Sequence, residues 1–121
     1  MIEQRKFKRI KDNLVVICSL PGKSHLEEIT ISEDISQGGA KLVAPGSLPV
    51  EEIMALELHI YTDAVPIFLK GKITWIKEIK RVGLFKKEKK YNLGIEFVAT
   101  DSFSQERLSR YLARMAKLNN E

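Results

Sequence analysis

Two short stretches of this sequence carry side chains whose types and spacing could do chemistry. The first is "RKFKR", where Arg5 and Arg9 stand four residues apart, a spacing that puts both on one face whether the segment is helical or extended. Two guanidinium groups so placed form a permanently charged pair of planar forks. They can bind phosphate bidentately, or pair with the O6 and N7 edge of a guanine while stacking on a base. The second is "DISQGG". Asp34 and Ser36 are two apart, so on an extended strand they share a face, and Gly38 and Gly39 follow. A carboxylate can accept from guanine N–H groups, a hydroxyl can donate or accept, and glycine lets a backbone approach a bulky partner closely. Read alone, each stretch has a plainer meaning. "RKFKR" is first a solvated basic arm. "DISQGG" is equally a turn in which Asp34 and Ser36 bond to nearby backbone.

The elements that must position these residues are mostly short strands. Alternating or β-branched text runs through Asn13–Leu20, Leu26–Ser36, Ala40–Pro45, Ile53–Thr62, Val65–Lys77 and Tyr91–Ala99, with turn signals such as Pro21-Gly22 between. Gly71 interrupts the fifth of these and predicts a bend or bulge there. "EIKRVGLFKKEKK", Glu78 to Lys90, is charged, contains a glycine and reads as a solvated hairpin loop. After it the period changes. Leu108, Tyr111, Leu112, Met115 and Leu118 mark an amphipathic helix, with Ser102 and Gln105 at capping-box spacing and Asp101 beside the positive end of the helix dipole. Strands at short, regular spacing with one helix last suggest a small antiparallel barrel.

Composition bounds the function. The chain has 121 residues, enough for one domain with its own core, and its 44% hydrophobic and 30% charged content is that of a globular protein. The single cysteine, Cys18, excludes an internal disulfide framework and shares its alternation with Val16 and Leu20, so it reads as a buried thiol. The first residues form no apolar signal segment, and no apolar run approaches bilayer length, so the expected setting is the cytoplasm, without membrane insertion. Net charge is +4, unevenly spread: Arg5 to Lys11 is basic, Ser24 to Lys70 mostly acidic, and Lys77 to Lys90 basic again. That distribution suits a local anion site better than a polyanion track, and nucleic acid is not the expected partner. His25 and His59 have no nucleophile or metal-ligand partner at a recognisable spacing, and Ser36 with Asp34 lacks the histidine of a hydrolase. No catalytic constellation is present, so the chain is not expected to be an enzyme. Trp75 in "ITWI" packs into or rims the barrel, with base stacking the minor reading.

Taken together, and in this order, "RKFKRI", "DISQGGAKL", "LKGKITWI" and "YNLGIEF" resemble segments of the PilZ domain. The resemblance runs from about Arg5 to the C-terminal helix. It implies an all-β fold, a six-stranded antiparallel PilZ-type β-barrel with a C-terminal α-helix, in a single domain. Residues 1–12 would be an N-terminal arm carrying the arginine motif, and 13–121 the barrel with its helix. It implies the bacterial second messenger cyclic di-GMP as ligand, with Arg5, Arg9, Asp34, Ser36 and Gly39 matching the family's motif position by position, Gln4 and Gly38 bordering it, and no cofactor or metal. A stand-alone receptor of this kind would signal by ordering its arm on binding and altering its contact with a downstream protein, in control of motility, exopolysaccharide or adhesion. The rivals are a PilZ-fold interaction module that binds no nucleotide, and a small barrel for single-stranded nucleic acid. The acidic middle and the few aromatics argue against the second.

Overall fold

The computed structural model describes residues 9–20, 23–82, 87–98 and 100–119. The elements are β1 (Ile10–Lys11), β2 (Val15–Leu20), β3 (Lys23–Ile35), β4 (Gly39–Ala44), β5 (Ile53–His59), β6 (Ile67–Val82), β7 (Lys87–Val98) and the helix α1 (Ser102–Asn119). Every pairing among them is antiparallel. The ladder runs β3-β2-β5-β6-β7-β4 and returns from β4 to β3, which closes a six-stranded barrel with no free edge. The seventh strand, β1, is a two-residue addition that sets Ile10 opposite Ile35 and Lys11 opposite Asp34.

Period-two alternation decides which side of each strand fills the barrel. Val16, Cys18 and Leu20 of β2, Leu42 and Ala44 of β4, and Met54, Leu56 and Leu58 of β5 all point inward and are buried. Burying one such leucine contributes about 1.5–3 kcal/mol. Burial pushes the Cys18 thiol up to about 11, so this cysteine is neutral packing material. On α1, Leu108, Tyr111 and Leu112 are buried in the same core, beside β1 and β6, whereas Leu118 at the end of the expected stripe is exposed.

Several local expectations give way. The N-cap of α1 is Asp101, not Ser102: its Oδ1 accepts from the Ser104 amide at 2.7 Å and its Oδ2 from the Ser104 hydroxyl at 3.1 Å. A carboxylate satisfies the orphan amide and the dipole at once. The segment read as a loop is largely strand. β6 and β7 continue as a two-stranded ribbon, with Glu78 opposite Tyr91, Lys80 opposite Lys89 and Val82 opposite Lys87. Backbone bonds hold the ribbon, and with charged residues throughout there is no alternation to read; residues 83–86 lie outside the described residues. The break in β6 falls at Thr74, where the register with β7 shifts between Ile73 and Trp75, rather than at Gly71. Gly71 has a packing role instead. A Cβ there would stand 2.7 Å from Ile95 Cγ2 and 2.9 Å from Leu56 Cδ1.

Candidate functional site

The turn between β3 and β4 is built by its own polar groups. The Ser36 amide donates to the Gly39 carbonyl at 2.8 Å, the Ser36 hydroxyl reaches the same oxygen at 3.3 Å, and the Gly38 amide donates to Ser36 Oγ at 3.2 Å. The Phe97 amide donates to the Gly38 carbonyl at 2.9 Å and fastens the turn to β7. Gly39 is required by that closeness, since a Cβ would lie 2.1 Å from the Ile95 carbonyl oxygen. Ser36 is buried and used within the turn, so it shapes the backbone as well as bordering the site.

A bulge aims the carboxylate. The register between β3 and β4 shifts between Ser32 and Asp34, so Glu33 is the extra residue. Ser32 points inward, and without the insertion Asp34, two residues on, would do the same. With it, Ile35 enters the core and Asp34 faces out. There Arg9 Nη1 donates to Asp34 Oδ1 at 2.6 Å. β1 places Arg9: pairing Ile10 and Lys11 with the end of β3 brings the residue before them over the turn. The structure thus joins Arg9, Asp34, Ser36, Gly38 and Gly39. Arg5 and Gln4 lie outside the described residues.

Arg9, Ser36, Gly38 and Gly39 form one wall of an open cavity of about 460 Å³, with Asp34 behind Arg9. The other wall is the β6–β7 pair, chiefly Thr74, Trp75, Gly94 and Glu96. Of the two readings of Trp75 from the sequence, packing into the barrel or rimming it, the structure shows the second. Trp75 is 44% exposed, and its ring lies across Gly94, where a Cβ would come within 2.0 Å of the indole Nε1. The Thr74 bulge turns Trp75 outward, because in unbroken alternation it would follow buried Ile73 into the barrel. The signal in the sequence was an aromatic in strand text with a glycine on the next strand, but only the bulge makes them face each other outside. Lys41, paired with Glu33 at 3.2 Å, joins this cavity to a second recess of about 680 Å³ that Asp34 and Asp12 line. Such volumes are those of small-ligand sites. The assembly offers a guanidinium, an ammonium, a carboxylate, a flat aromatic face and close-approaching backbone: the chemistry for a ligand with aromatic bases and negative charge.

Elsewhere the structure adds little chemistry. His59 Nε2 lies 3.9 Å from Glu57 Oε2 on the barrel's outer side, while the side chain of His25 is outside the described residues. Among the described residues no group of three or more histidine, cysteine or acidic side chains is placed to hold a metal, and no helix is long and apolar enough to cross a membrane.

Comparison with known proteins bears on the fold. The PilZ domain family model matches residues 3–114. Among solved structures, the PilZ domain of YcgR from Escherichia coli, determined with c-di-GMP, aligns with a TM-score of 0.73 at 16% identity over 97% of this chain and 95% of that one. The Bacillus subtilis inhibitor of motility, MotI/DgrA, aligns with a TM-score of 0.71 at 21% identity over 99% of this chain and 54% of its own. The K. pneumonia MrkH–c-di-GMP complex aligns at 0.73 and 17% identity, over 98% of this chain and 55% of that chain. The chain therefore spans about half the length of the latter two. No match was found among curated proteins. Both the sequence match, which covers most of the chain, and the closed barrel with its terminal helix give one assignment: the chain belongs to the PilZ domain family.

Proposed function

We propose that this PilZ domain is a receptor for cyclic di-GMP, and that the nucleotide occupies the cavity between Arg9 and Trp75. The observation that carries the reading is the convergence on one cavity of the Arg9 guanidinium, itself held by Asp34, and an exposed indole face. Two proteins of similar fold, the YcgR domain and MrkH, are described in complex with c-di-GMP. Arg9 would present its fork to a guanine edge or a phosphate, a contact worth about 1–3 kcal/mol. Its present ion pair is part-exposed and of a kind worth about 0–1 kcal/mol, so redirecting the guanidinium costs little. Asp34 would accept from guanine N–H groups, Gly38 and Gly39 would let the turn backbone approach, and Trp75 would stack a base. A few such contacts reach micromolar affinity, about −8 kcal/mol.

Arg5, with Gln4 beside it, would complete the site from the arm of residues 1–12, whose last part is already anchored through β1. Binding would clamp Arg5 and Arg9 over the nucleotide, order the arm against the barrel and change the surface that a downstream protein reads, in the cytoplasm and without catalysis. The second reading, an interaction module that binds no nucleotide, is favoured by one fact: Arg9 and Ser36 already have partners within the protein. Calorimetry separates the two. Titration with cyclic di-GMP and with GTP, on wild type and Arg9→Ala, is expected to give micromolar binding of the dinucleotide that the substitution weakens by about fivefold or more. No heat at protein concentrations well above micromolar favours the interaction module.

A further inference from the structure

The two ligand motifs are held from behind by the same helix. On one side, Tyr111 of α1 donates its hydroxyl to Asp12 Oδ2. Asp12 directly follows β1, the strand that carries Arg9 at its other end. On the other side, Gln37 Nε2 donates to Ser109 Oγ at 2.6 Å, and Gln37 sits between Ser36 and Gly38 in the site turn. Ser109 and Tyr111 are two residues apart on α1, so one helical turn touches both motifs. Burial and the Asp12 carboxylate both hold the Tyr111 phenol well above its usual pKa, which keeps it a donor at any working pH.

Neither bond is needed to complete the barrel. The backbone around Asp12 is fixed independently by buried Ser32: its hydroxyl donates to the Asp12 carbonyl, the Leu14 amide donates to Ser32 Oγ at 2.8 Å, and the Ser32 amide donates to the Leu14 carbonyl at 2.8 Å. The helix has its own anchor far from the site in sequence, where Arg107 donates to the Pro66 carbonyl at 2.9 Å, the Val65 carbonyl at 2.6 Å and Asp63 Oδ2 at 3.1 Å. The Tyr111 and Gln37 bonds therefore do something the Arg107 anchor does not. To the β1–β3 pairing, which brings Arg9 over the turn, they add a second tie between the arginine segment and the turn, made from the helix side.

We infer that Tyr111 and Gln37 are positioning residues of the ligand site: through Asp12 and Ser109 they make α1 the bracket that sets Arg9 against the Ser36–Gly39 turn. The inference rests on the receptor reading above. A ligand that must touch both walls at once gains from having their spacing set in advance, because the free protein then loses less freedom on binding. By reciprocity, whatever breaks the Tyr111–Asp12 or Gln37–Ser109 bond weakens the ligand, and bound ligand steadies those two bonds.

The test is calorimetry with cyclic di-GMP on the full chain and its variants, with thermal stability measured alongside. Tyr111→Phe keeps the buried ring and loses the donor, and is expected to weaken binding by about fivefold or more. Asp12→Ala is expected to do the same, whereas Asp12→Asn, which keeps an oxygen acceptor for the phenol, is expected to recover part of the lost affinity. Combining Asp12→Ala with Tyr111→Phe adds nothing further, the mark of one shared bond. Arg107→Ala loosens α1 at its other anchor; it is expected to lower the melting temperature and leave affinity within about twofold. Should Tyr111→Phe not fold, Asp12→Ala carries the same test. Binding by wild type together with unchanged affinity in Asp12→Ala, or affinity that simply follows thermal stability across the set including Arg107→Ala, overturns the positioning role alone. Absence of heat in wild type overturns the receptor reading, and the positioning role with it.

Discussion

The two walls of the cavity use the same device to opposite ends. In β3 the bulge at Glu33 turns a carboxylate outward, and in β6 the bulge at Thr74 turns an indole outward. Each wall also has a glycine that no other residue could replace without a shift. Gly39 faces a carbonyl oxygen of β7, fixed in the sheet, at 2.1 Å from where a Cβ would stand; Gly94 faces the Trp75 side chain at 2.0 Å. The first wall is thus backbone against backbone, rigid and part of the fold. The second is a side chain resting on backbone, able to move. The motif wall positions charge and depends on the barrel, while the indole wall supplies a surface that the barrel can do without.

Substitutions at the glycines test that contrast most severely. Gly39→Ala must open the β4–β7 ladder, and is expected to cost about 3 kcal/mol or more in denaturant unfolding. Gly94→Ala needs only a shift of the indole, so its stability cost is expected to be clearly smaller, with the loss appearing in ligand affinity. Equal destabilisation by the two would remove the distinction. Arg9→Ala comes next: a guanine or phosphate contact of about 1–3 kcal/mol corresponds to a loss of roughly five- to 150-fold in affinity, with a stability change within about 1 kcal/mol. Trp75→Ala is expected to weaken binding comparably or less, since stacking on an aromatic contributes about 1–3 kcal/mol per base, and Trp75→Phe to recover part of it. Both keep the fold, because the ring is half out of the core.

The smallest effect lies on the helix that backs the motif wall. Hydrogen bonding from the Ser104 amide holds the Asp101 carboxyl below its ordinary 3.8, and the Arg107 guanidinium does the same for Asp63. Groups with depressed folded values contribute stability above the unfolded pKa and lose it as pH falls through the folded one. The stability difference between wild type and Asp101→Ala is therefore expected to be constant at neutral pH and to shrink only below about pH 4. A difference already shrinking near pH 6 would mean that the cap is not a charged carboxylate.

Where sequence and structure agree, a local pattern was sufficient. The six barrel strands show as alternation in which Val16, Cys18 and Leu20 or Met54, Leu56 and Leu58 share a face, and the motif wall shows as residue types at fixed spacing. Where they part, the cause is an interruption of period or a change of setting. Whether Trp75 packs into the barrel or rims it stays open in the sequence because an inserted residue leaves no mark in a run of strand formers. The ribbon beyond Lys77 is strand without a core to bury, so nothing in its composition distinguishes it from loop. β1 is two residues long, below any periodicity, and Ile10 is buried by tertiary neighbours, its partner strand β3 and the helix α1. The bonds from Tyr111 to Asp12 and from Gln37 to Ser109 join residues far apart in the chain, and no local pattern encodes them.

Trp75 is the only tryptophan in the sequence and it stands in the cavity, so its fluorescence reports on the site directly. Titration of the full chain with cyclic di-GMP, exciting the indole alone and using GTP and Arg9→Ala as controls, is the most direct measurement. The expected result is a saturable change in emission with a micromolar midpoint for cyclic di-GMP, absent with GTP and moved to at least about fivefold higher concentration in Arg9→Ala. An indole signal that stays flat at concentrations well above micromolar, or that changes identically in Arg9→Ala, would contradict binding of the dinucleotide between Arg9 and Trp75.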